Sequence, residues 1–397
     1  MKKIMILGAS VLQVPAILKA KELGYYVILI DMNSKAVGIQ YADKFYEIST
    51  IDIDSILNIA KQENINGIIT IASDMPMRAV AKVNDEMNLK GINYDVSLKA
   101  TDKYLMRNAL KYSKVPIPKY ELINTYEDFL NKKEEFKYPF IIKPVDNSGS
   151  RGIYKFEHNI SNYKEIYNYT VSNSRNGKIL IEECMTGPEV SVEALTIDGI
   201  TSIIAITDKL TTGAPHFVEM GHSQHSMLTK SIQEKIKKIV TNAITAIGIN
   251  NSASHTELII TEEGPKVVEI GARLGGDNIN THLVPLSTGF NIVEAALKIC
   301  IGDDVKIPIL ESKGAAIRYF NPTPGKILSI KGLENIKQIP GIYECNLDSN
   351  VGDYVKEIES SSDRIGYVIA TANTPNKAIK ICENAIKKVN IVTSNKK

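Results

Sequence analysis

The sequence predicts a multidomain protein of mixed α/β and α+β class, and three observations carry that prediction. Over roughly the first hundred residues, strand-like apolar runs alternate with helical patterns, which is the signature of a parallel sheet. Beyond Pro116 and Pro118 the order changes to paired strands with helices between them. The length of 397 residues suffices for about two to four domains. The expected divisions are 1–113, a Rossmann-like domain with a linking helix; 114–187 and 188–305, two α+β lobes; and 306–397, a further α+β segment.

The first element is expected to be a buried strand at 2–7. Its apolar run is short and ends in Gly8, with Gln13 and Pro15 close behind, which fits a strand better than a signal peptide. A helical pattern through Val14, Ile17 and Leu18 leads to a second strand at 26–30 closed by Asp31, giving a βαβ unit. The alternation continues with strands at 45–48 and 67–71 and helices at 55–63 and near 77–86. Gly8 and Asp31 stand where a dinucleotide site would want them, yet residues 8–13 hold one glycine instead of Gly-x-Gly-x-x-Gly. Close backbone approach to a pyrophosphate is therefore not provided for. A helix at 102–112 follows, closed by the two prolines.

The next lobe reads as strands at 119–123, 140–143, 153–156 and 179–183, with helices at 126–135 and 162–172. The third segment offers strands at 189–197 and 200–208. Its helix, about 230–247, has an apolar stripe of Ile232, Ile236, Ile239, Val240, Ala243, Ile244 and Ile247. Gly302-Asp303-Asp304 introduces the last segment, where Pro- and Gly-rich turns such as 321–325 recur.

Composition narrows the function classes. Charge is nearly balanced, 47 basic against 45 acidic residues, so there is no general electrostatic case for nucleic acid or a membrane surface. Cys184, Cys300, Cys345 and Cys382 form no Cys-x-x-Cys pair and read as buried thiols of a reducing compartment. No apolar run approaches ~18 residues. A cytoplasmic protein acting on small molecules is expected.

The chemistry concentrates in residues 254–277. Two β-branched runs, 256–260 and 266–270, flank Thr261-Glu262-Glu263-Gly264-Pro265, the pattern of a hairpin. A turn symmetric about Glu263 pairs Ile260 with Lys266 and sets Glu257 opposite Glu269. Two carboxylates ~5 Å apart at Cβ repel unless a cation lies between them. Hard oxygen ligands with room for phosphate describe a Mg²⁺–nucleotide site. Arg273 adds a fixed, fork-shaped cation.

A second motif is 138–153, where an apolar strand ends in Lys143 and Pro144-Val145-Asp146-Asn147-Ser148-Gly149-Ser150-Arg151-Gly152 follows. Small residues let backbone N–H groups close over phosphate oxygens, and Lys143 and Arg151 add charge. It is not a P-loop, since Gly-Lys-Ser/Thr and the following helix are missing. Third, Glu182-Glu183-Cys184-Met185-Thr186-Gly187-Pro188-Glu189 could present backbone groups to an adenine edge and Glu189 to ribose hydroxyls. Fourth, His216, Glu219, His222 and His225 have a spacing that could suit zinc on a helix, but Pro215 and Gly221 argue against that helix.

In this order, from Asp102-Lys103 through Lys143 and Glu182–Glu189 to Glu257 and Glu269-Ile-Gly-Ala-Arg273, the chain resembles the ATP-grasp superfamily of carboxylate–amine ligases. The segment around Glu219 and His222, with His255-Thr256-Glu257, is most similar to bacterial L-amino acid (dipeptide) ligases. The resemblance implies two lobes grasping ATP between them, with a Rossmann-like leader and a C-terminal lobe. It further implies that Lys103 and Lys143 hold phosphates and that 146–152, with Ser148, Gly149, Ser150 and Arg151, is a flap. Glu183 and Met185 would meet adenine through the backbone, with Glu182 beside its amino group and Glu189 on ribose. Glu257 and Glu269 would ligate one or two Mg²⁺ ions, with Mn²⁺ as an alternative, and Arg273 would stabilise an acyl-phosphate. Glu219 and His222 would line the amino-acid site, and His255 stands where some relatives place an arginine. Gly271 departs from the family, many of whose members carry a metal-ligating asparagine there. The implied partners are a carboxylate and an amine, plus a second copy in a homodimer. The alternatives are a phosphoribosylglycinamide synthetase-like ligase, a biotin carboxylase-like enzyme and a non-catalytic ATP-binding protein.

Overall fold

The computed structural model describes residues 1–147, 149, 151–213 and 216–394. Strands Lys44–Glu47, Tyr26–Asp31, Lys3–Leu7 and Gly67–Ile69 lie side by side in that order, all parallel. Helices Val14–Glu22, Ile53–Glu63 and Met77–Met87 fill the connections, giving the expected Rossmann-like half-fold. The helix Tyr94–Thr101 has no counterpart in the sequence reading. Asn93 starts it by accepting the Val96 N–H, and it runs straight up to the linking helix Lys103–Tyr112. In the loop after the first strand, Asp31 turns back to accept the Ala9 N–H at 2.7 Å, and the Gln13 carboxamide accepts that of Ser10 at 3.1 Å. The side chains that a dinucleotide loop would need out of the way are its own hydrogen-bond partners.

The small lobe is an antiparallel sheet ordered Tyr120–Ile123, Ile179–Glu183, Phe140–Pro144, Tyr154–Phe156. The expected helix at 126–135 ends at Lys132 and tightens into a 3₁₀ turn, Lys133–Glu135. Its core is aromatic, with Phe140 stacked on Phe156 at 4.8 Å and Phe129, Tyr163 and Tyr167 around them. Such packing makes the lobe a rigid platform for Lys143.

The large sheet has eight strands in the order Gly264–Gly271, Ser252–Thr261, Glu189–Ile197, Ile200–Thr211, Glu219–Gln224, Gly314–Tyr319, Gly366–Ala372, Ile342–Leu347. It runs without a break across residue 306, so 188–305 and 306–397 share one sheet. The strand Glu219–Gln224 at its middle is absent from the sequence reading, because Gly, His, Ser and Gln carry little strand signal. Alternation divides the faces. Val190, Val192, Ala194, Ile206, Leu258 and Val267 point one way and pack with Ile236, Val240, Ala243, Ile244 and Ile247 of the helix Lys230–Ile247. The other face carries the polar residues. At its far end Leu195, Ala205 and Ala253 are closed over by the helices Val284–Thr288 and Ile292–Ile301. Among the described residues no single helix is long and apolar enough to cross a membrane. Of the cysteines, Cys300 and Cys382 are buried as expected, whereas Cys184, just past a strand end, and Cys345, on the edge strand of the large sheet, are only half-buried.

Candidate active site

The hairpin differs from its expected form in one instructive way. Thr261 pairs with Gly264 and Ile260 with Pro265, so the turn is the two residues Glu262-Glu263, and Lys266 faces Ile259 instead of Ile260. A tight turn alone would bring Glu257 opposite Val268. A bulge after Leu258↔Val267 leaves Val268 unpaired in the ladder and restores Glu257↔Glu269. The two carboxylates therefore share the polar face, one register position apart from the assumed geometry of the turn.

Register carries the same face across the sheet. Glu257 is paired with Ser191 and His255 with Glu193; Ser191 is paired with Thr207, and Lys209 with His222. Glu189, Glu193, Lys209, His222, His255, Glu257 and Glu269 thus all look toward one space. Opposite them the small lobe presents Lys143, and the linking helix presents Lys103. Between the lobes lies a cleft of about 240 Å³ whose walls include Lys103, Lys143, Gly149, Arg151, Glu182, Glu183, Met185, Glu189, Glu257, Glu269 and Arg273. Ser148 and Ser150 lie outside the described residues.

Nearly every charge in the cleft has a partner. Lys103 Nζ donates to the Asn147 carbonyl at 2.7 Å and to Glu269 at 3.0 Å. Lys143 Nζ lies 2.7 Å from Glu182, itself fully buried and gripped by Arg107 at 2.8 and 3.2 Å. Burial and the positive neighbours Arg107 and Lys103 push the Lys143 pKa down to about 8 against the pull of Glu182. Burial would raise Glu182, but Arg107 and Lys143 hold it down at about 2. Glu182 is thus committed to these two cations, and the Glu183 N–H to the Lys119 carbonyl at 2.9 Å.

Lys209, whose side chain is 3% exposed, sits among three carboxylates: Glu189 at 2.5 Å, Glu257 at 3.2 Å and Glu219 at 3.4 Å. Burial lowers its pKa, but the three acids outweigh that and keep it well above the usual lysine range. Glu257 shows the converse: burial raises it, while Lys209 and His255 hold it well below the usual carboxylate range. His255 Nδ1 lies 2.6 Å from the buried Glu193, which also accepts from Asn280 at 2.5 Å. Burial opposes charge on His255, yet Glu193 and Glu257 lift its pKa to about 9, so the ring is a cation at neutral pH.

Arg273 is held from the N-terminal domain. Its Nε and Nη2 donate to Asp74 at 2.7 and 2.8 Å, and Ala72 N–H donates to the Leu274 carbonyl at 3.0 Å beside them. Two glycines of Gly-Ala-Arg-Leu-Gly-Gly make room for these pairs. A Cβ on Gly271 would lie 2.8 Å from Asp74 Oδ1, and one on Gly275 would lie 2.5 Å from His255 Nδ1. The missing asparagine at 271 thus has a local physical reason, since its side chain would occupy the space of the Asp74 carboxylate.

Beyond Arg273 the cleft opens into a second chamber of about 210 Å³. Asp74, Lys209, Glu219, Glu257, His255 and Arg273 line both, while His222, Gly276 and Asp277 mark the second. Asp277, at φ +52°, accepts two hydrogen bonds from Arg364 at 2.7 and 2.8 Å and faces His222 Nε2 at 3.3 Å. Burial notwithstanding, Arg364 and His222 hold the Asp277 carboxyl far below the usual range. His216 and His225 are elsewhere: His225 contacts the Ser287 carbonyl at 3.2 Å, and His216 lines a third cavity with Phe217 and Asp363.

Among the described residues no group of three or more His, Cys, Asp or Glu side chains could hold a metal ion alone. Glu257 and Glu269 fit an ion whose remaining ligands are phosphate oxygens and water, as hard cations of Mg²⁺ type accept. The residues missed by the sequence reading are Asp74, Arg107, Glu193, Lys209 and Asp277. Glu193 had a signal, since Glu189-x-Ser191-x-Glu193 alternates with Val190, Val192 and Ala194. Asp74 had none.

Comparison with known proteins agrees with this architecture. Residues 136–281 match the family described as ATP-grasp domain, 4–94 the PylC-like N-terminal domain, and 318–394 the L-amino acid ligase C-terminal domain 2. The L-arginine-specific L-amino acid ligase of Bacillus subtilis is 24% identical over 283 residues, covering 69% of this chain and 67% of that protein. The crystal structure of an L-amino acid ligase from Bacillus licheniformis superposes with a TM-score of 0.86 at 20% identity, over 100% of this chain and 99% of that one. A phosphoribosylglycinamide synthetase from Anaerococcus prevotii superposes at 0.79 with 24% identity, over 99% and 100%. These two likenesses show a shared fold.

Proposed function

The chain belongs to the ATP-grasp ligases, and from that premise we propose that it joins the carboxylate of one amino acid to the amine of a second, converting ATP to ADP and phosphate. The observation that carries this reading is the shared wall: a cleft with two lysines and a facing carboxylate pair opens past Arg273 into a chamber walled by Glu219, His222 and Asp277. A carboxylate is a poor electrophile. Transfer of the γ-phosphoryl group makes one of its oxygens part of a leaving group, and the P–O bond to ADP breaks as the new one forms. The amine then forms the C–N bond, the C–O bond to phosphate breaks, and the ammonium proton leaves.

Each step has residues to serve it. Lys103 and Lys143 face the phosphates, and Arg273, oriented by Asp74, stands where the activated carboxylate must lie. A magnesium ion at Glu257 and Glu269 would supply further charge neutralisation on the phosphate oxygens. Glu219 and His222 orient the ammonium and take its proton. Glu189 stands for ribose recognition, and Glu182, Glu183 and Met185 line the adenine end. Gly149 and Arg151 close the cleft and keep water from the intermediate. We take the active form to be a homodimer.

The loop at 8–13 supports amino-acid substrates over a ribose phosphate. Gly8, Ala9 and Ser10 N–H groups are already donated to Ile30, Asp31 and Gln13. A phosphate-release screen over pairs of amino acids, with Glu269→Gln as the inactive control, tests the reading. Release that needs both partners is expected. AMP formation, dependence on bicarbonate alone, or ATP binding without turnover on any pair would overturn it.

A further inference from the structure

Arg107 lies outside the cleft, yet it joins three parts of the chain that are far apart in sequence. It projects from the linking helix Lys103–Tyr112 and is fully buried. Nε and Nη2 hold both oxygens of Glu182 on the small lobe, at 2.8 and 3.2 Å. The same Nη2 donates to the Val268 carbonyl at 2.8 Å. Val268 is the bulge residue that brings Glu269 opposite Glu257. Glu182 in turn holds Lys143 at 2.7 Å.

We propose that Arg107 is a positioning residue that fixes the distance between Lys143 of one lobe and the Glu257/Glu269 pair of the other, and so sets the grip on the nucleotide phosphates. The functional part rests on the reading of Lys143 as a phosphate contact. The geometric part does not.

The fork is what the position requires. A planar guanidinium can satisfy a carboxylate with two parallel bonds and still reach a carbonyl, which an ammonium cannot do with the same rigidity. The chemistry of Lys143 supports the same arrangement. Its pKa of about 8 reflects burial first, then the opposing effects of Glu182, which raises it, and of Arg107 and Lys103, which lower it. Those three are the charged groups facing it. Removing the Arg107 charge leaves Glu182 to Lys143 alone, so the lysine must titrate higher.

Two variants separate positioning from a merely structural role. Arg107→Lys keeps a charge but loses the fork; Arg107→Gln loses both. The measurements are far-UV circular dichroism for folding, Mg-ATP affinity by calorimetry, and the pH midpoint of Lys143 acylation followed by mass spectrometry in the absence of nucleotide. The expected result is that both folded variants bind Mg-ATP at least about tenfold more weakly, the effect of one charge-assisted hydrogen bond. The Lys143 midpoint is expected to rise in Arg107→Gln and to stay near the wild type in Arg107→Lys. Should Arg107→Gln fail to fold, Arg107→Lys carries the affinity test. Folded variants with wild-type affinity and an unmoved Lys143 midpoint would overturn the proposal. The acylation midpoint needs neither ATP nor an amino acid, so a wild type that binds no nucleotide would sink the ligase reading while this readout still reports the Arg107–Lys143 coupling.

Discussion

Replacing Lys209 by methionine removes the one ammonium that three site carboxylates share, and its cost can be worked from the geometry. The side chain is 3% exposed and lies 2.5, 3.2 and 3.4 Å from Glu189, Glu257 and Glu219. Deleting one member of a buried charge pair costs about 3–5 kcal/mol, because the survivor is left uncompensated. The three acids here are each about a quarter exposed, so water recovers part of the loss and the lower end applies. About 3 kcal/mol corresponds to roughly 150-fold in the unfolding equilibrium. With a urea slope of about 3 kcal/mol per molar, the midpoint should fall by about 1 M.

The chain has 18 tyrosines and no tryptophan, so far-UV circular dichroism with tyrosine fluorescence is the suitable probe. Each resolved transition is compared separately, since several domains need not unfold together. Millimolar Mg²⁺ provides the second arm. In the variant no ammonium competes for Glu257, so the ion should restore more stability than it adds to the wild type. A variant within about 1 kcal/mol of wild type, or equal Mg²⁺ effects on the two proteins, would refute the view that Lys209 balances these acids.

Three further outcomes are expected. Asp74→Asn should lower kcat about a hundredfold with little change in nucleotide KM, because Arg273 loses its orientation while the lysines are untouched; steady-state phosphate release reads this. Gly271→Ala places a Cβ 2.8 Å from Asp74 Oδ1 and should reproduce a milder form of the same defect, with the same assay as check. His255, with a folded pKa of about 9 against about 6.5 unfolded, contributes about 3 kcal/mol that is fully present below pH 6.5 and disappears as pH rises through 9. Wild-type stability should therefore decline over that window, and a histidine proton resonance titrating near 9 should vanish in His255→Gln.

The fold was legible because its signals are local. Alternating apolar runs gave the parallel sheet, and the stripe from Ile232 to Ile247 gave the helix that covers the large sheet. The strand Glu219–Gln224 escaped because Met220 is its one large apolar side chain, too little to show an alternating pattern. Individual site side chains were legible where charge breaks an apolar pattern, as at Lys143 and Glu269. Partners such as Asp74 with Arg273, or Arg107 with Glu182, span 199 and 75 residues and follow only from the tertiary arrangement.

The hairpin shows why a correct pairing can follow from an incorrect turn. Opposing Glu257 and Glu269 in a regular ladder demands a three-residue loop centred on Glu263. The chain instead closes with two residues and inserts Val268 later. The two solutions give the same facing carboxylates but different surroundings. A regular ladder would engage the Val268 carbonyl with the neighbouring strand, whereas the bulge turns it toward Arg107 at 2.8 Å. The extra residue therefore does two things at once, aiming Glu269 into the cleft and tying the hairpin to the lobe that carries Lys143. Deleting Val268 should separate these readings. Without it Glu269 follows Val267 directly and stands opposite Glu257 in a regular ladder, so the facing carboxylates are kept and the carbonyl tie to Arg107 is lost. Magnesium-dependent nucleotide binding should then persist but weaken about tenfold. Wild-type affinity in a folded deletion variant would show that the tie to Arg107 does not set the grip, and complete loss of magnesium-dependent binding would show that the carboxylate pair alone does not hold the ion.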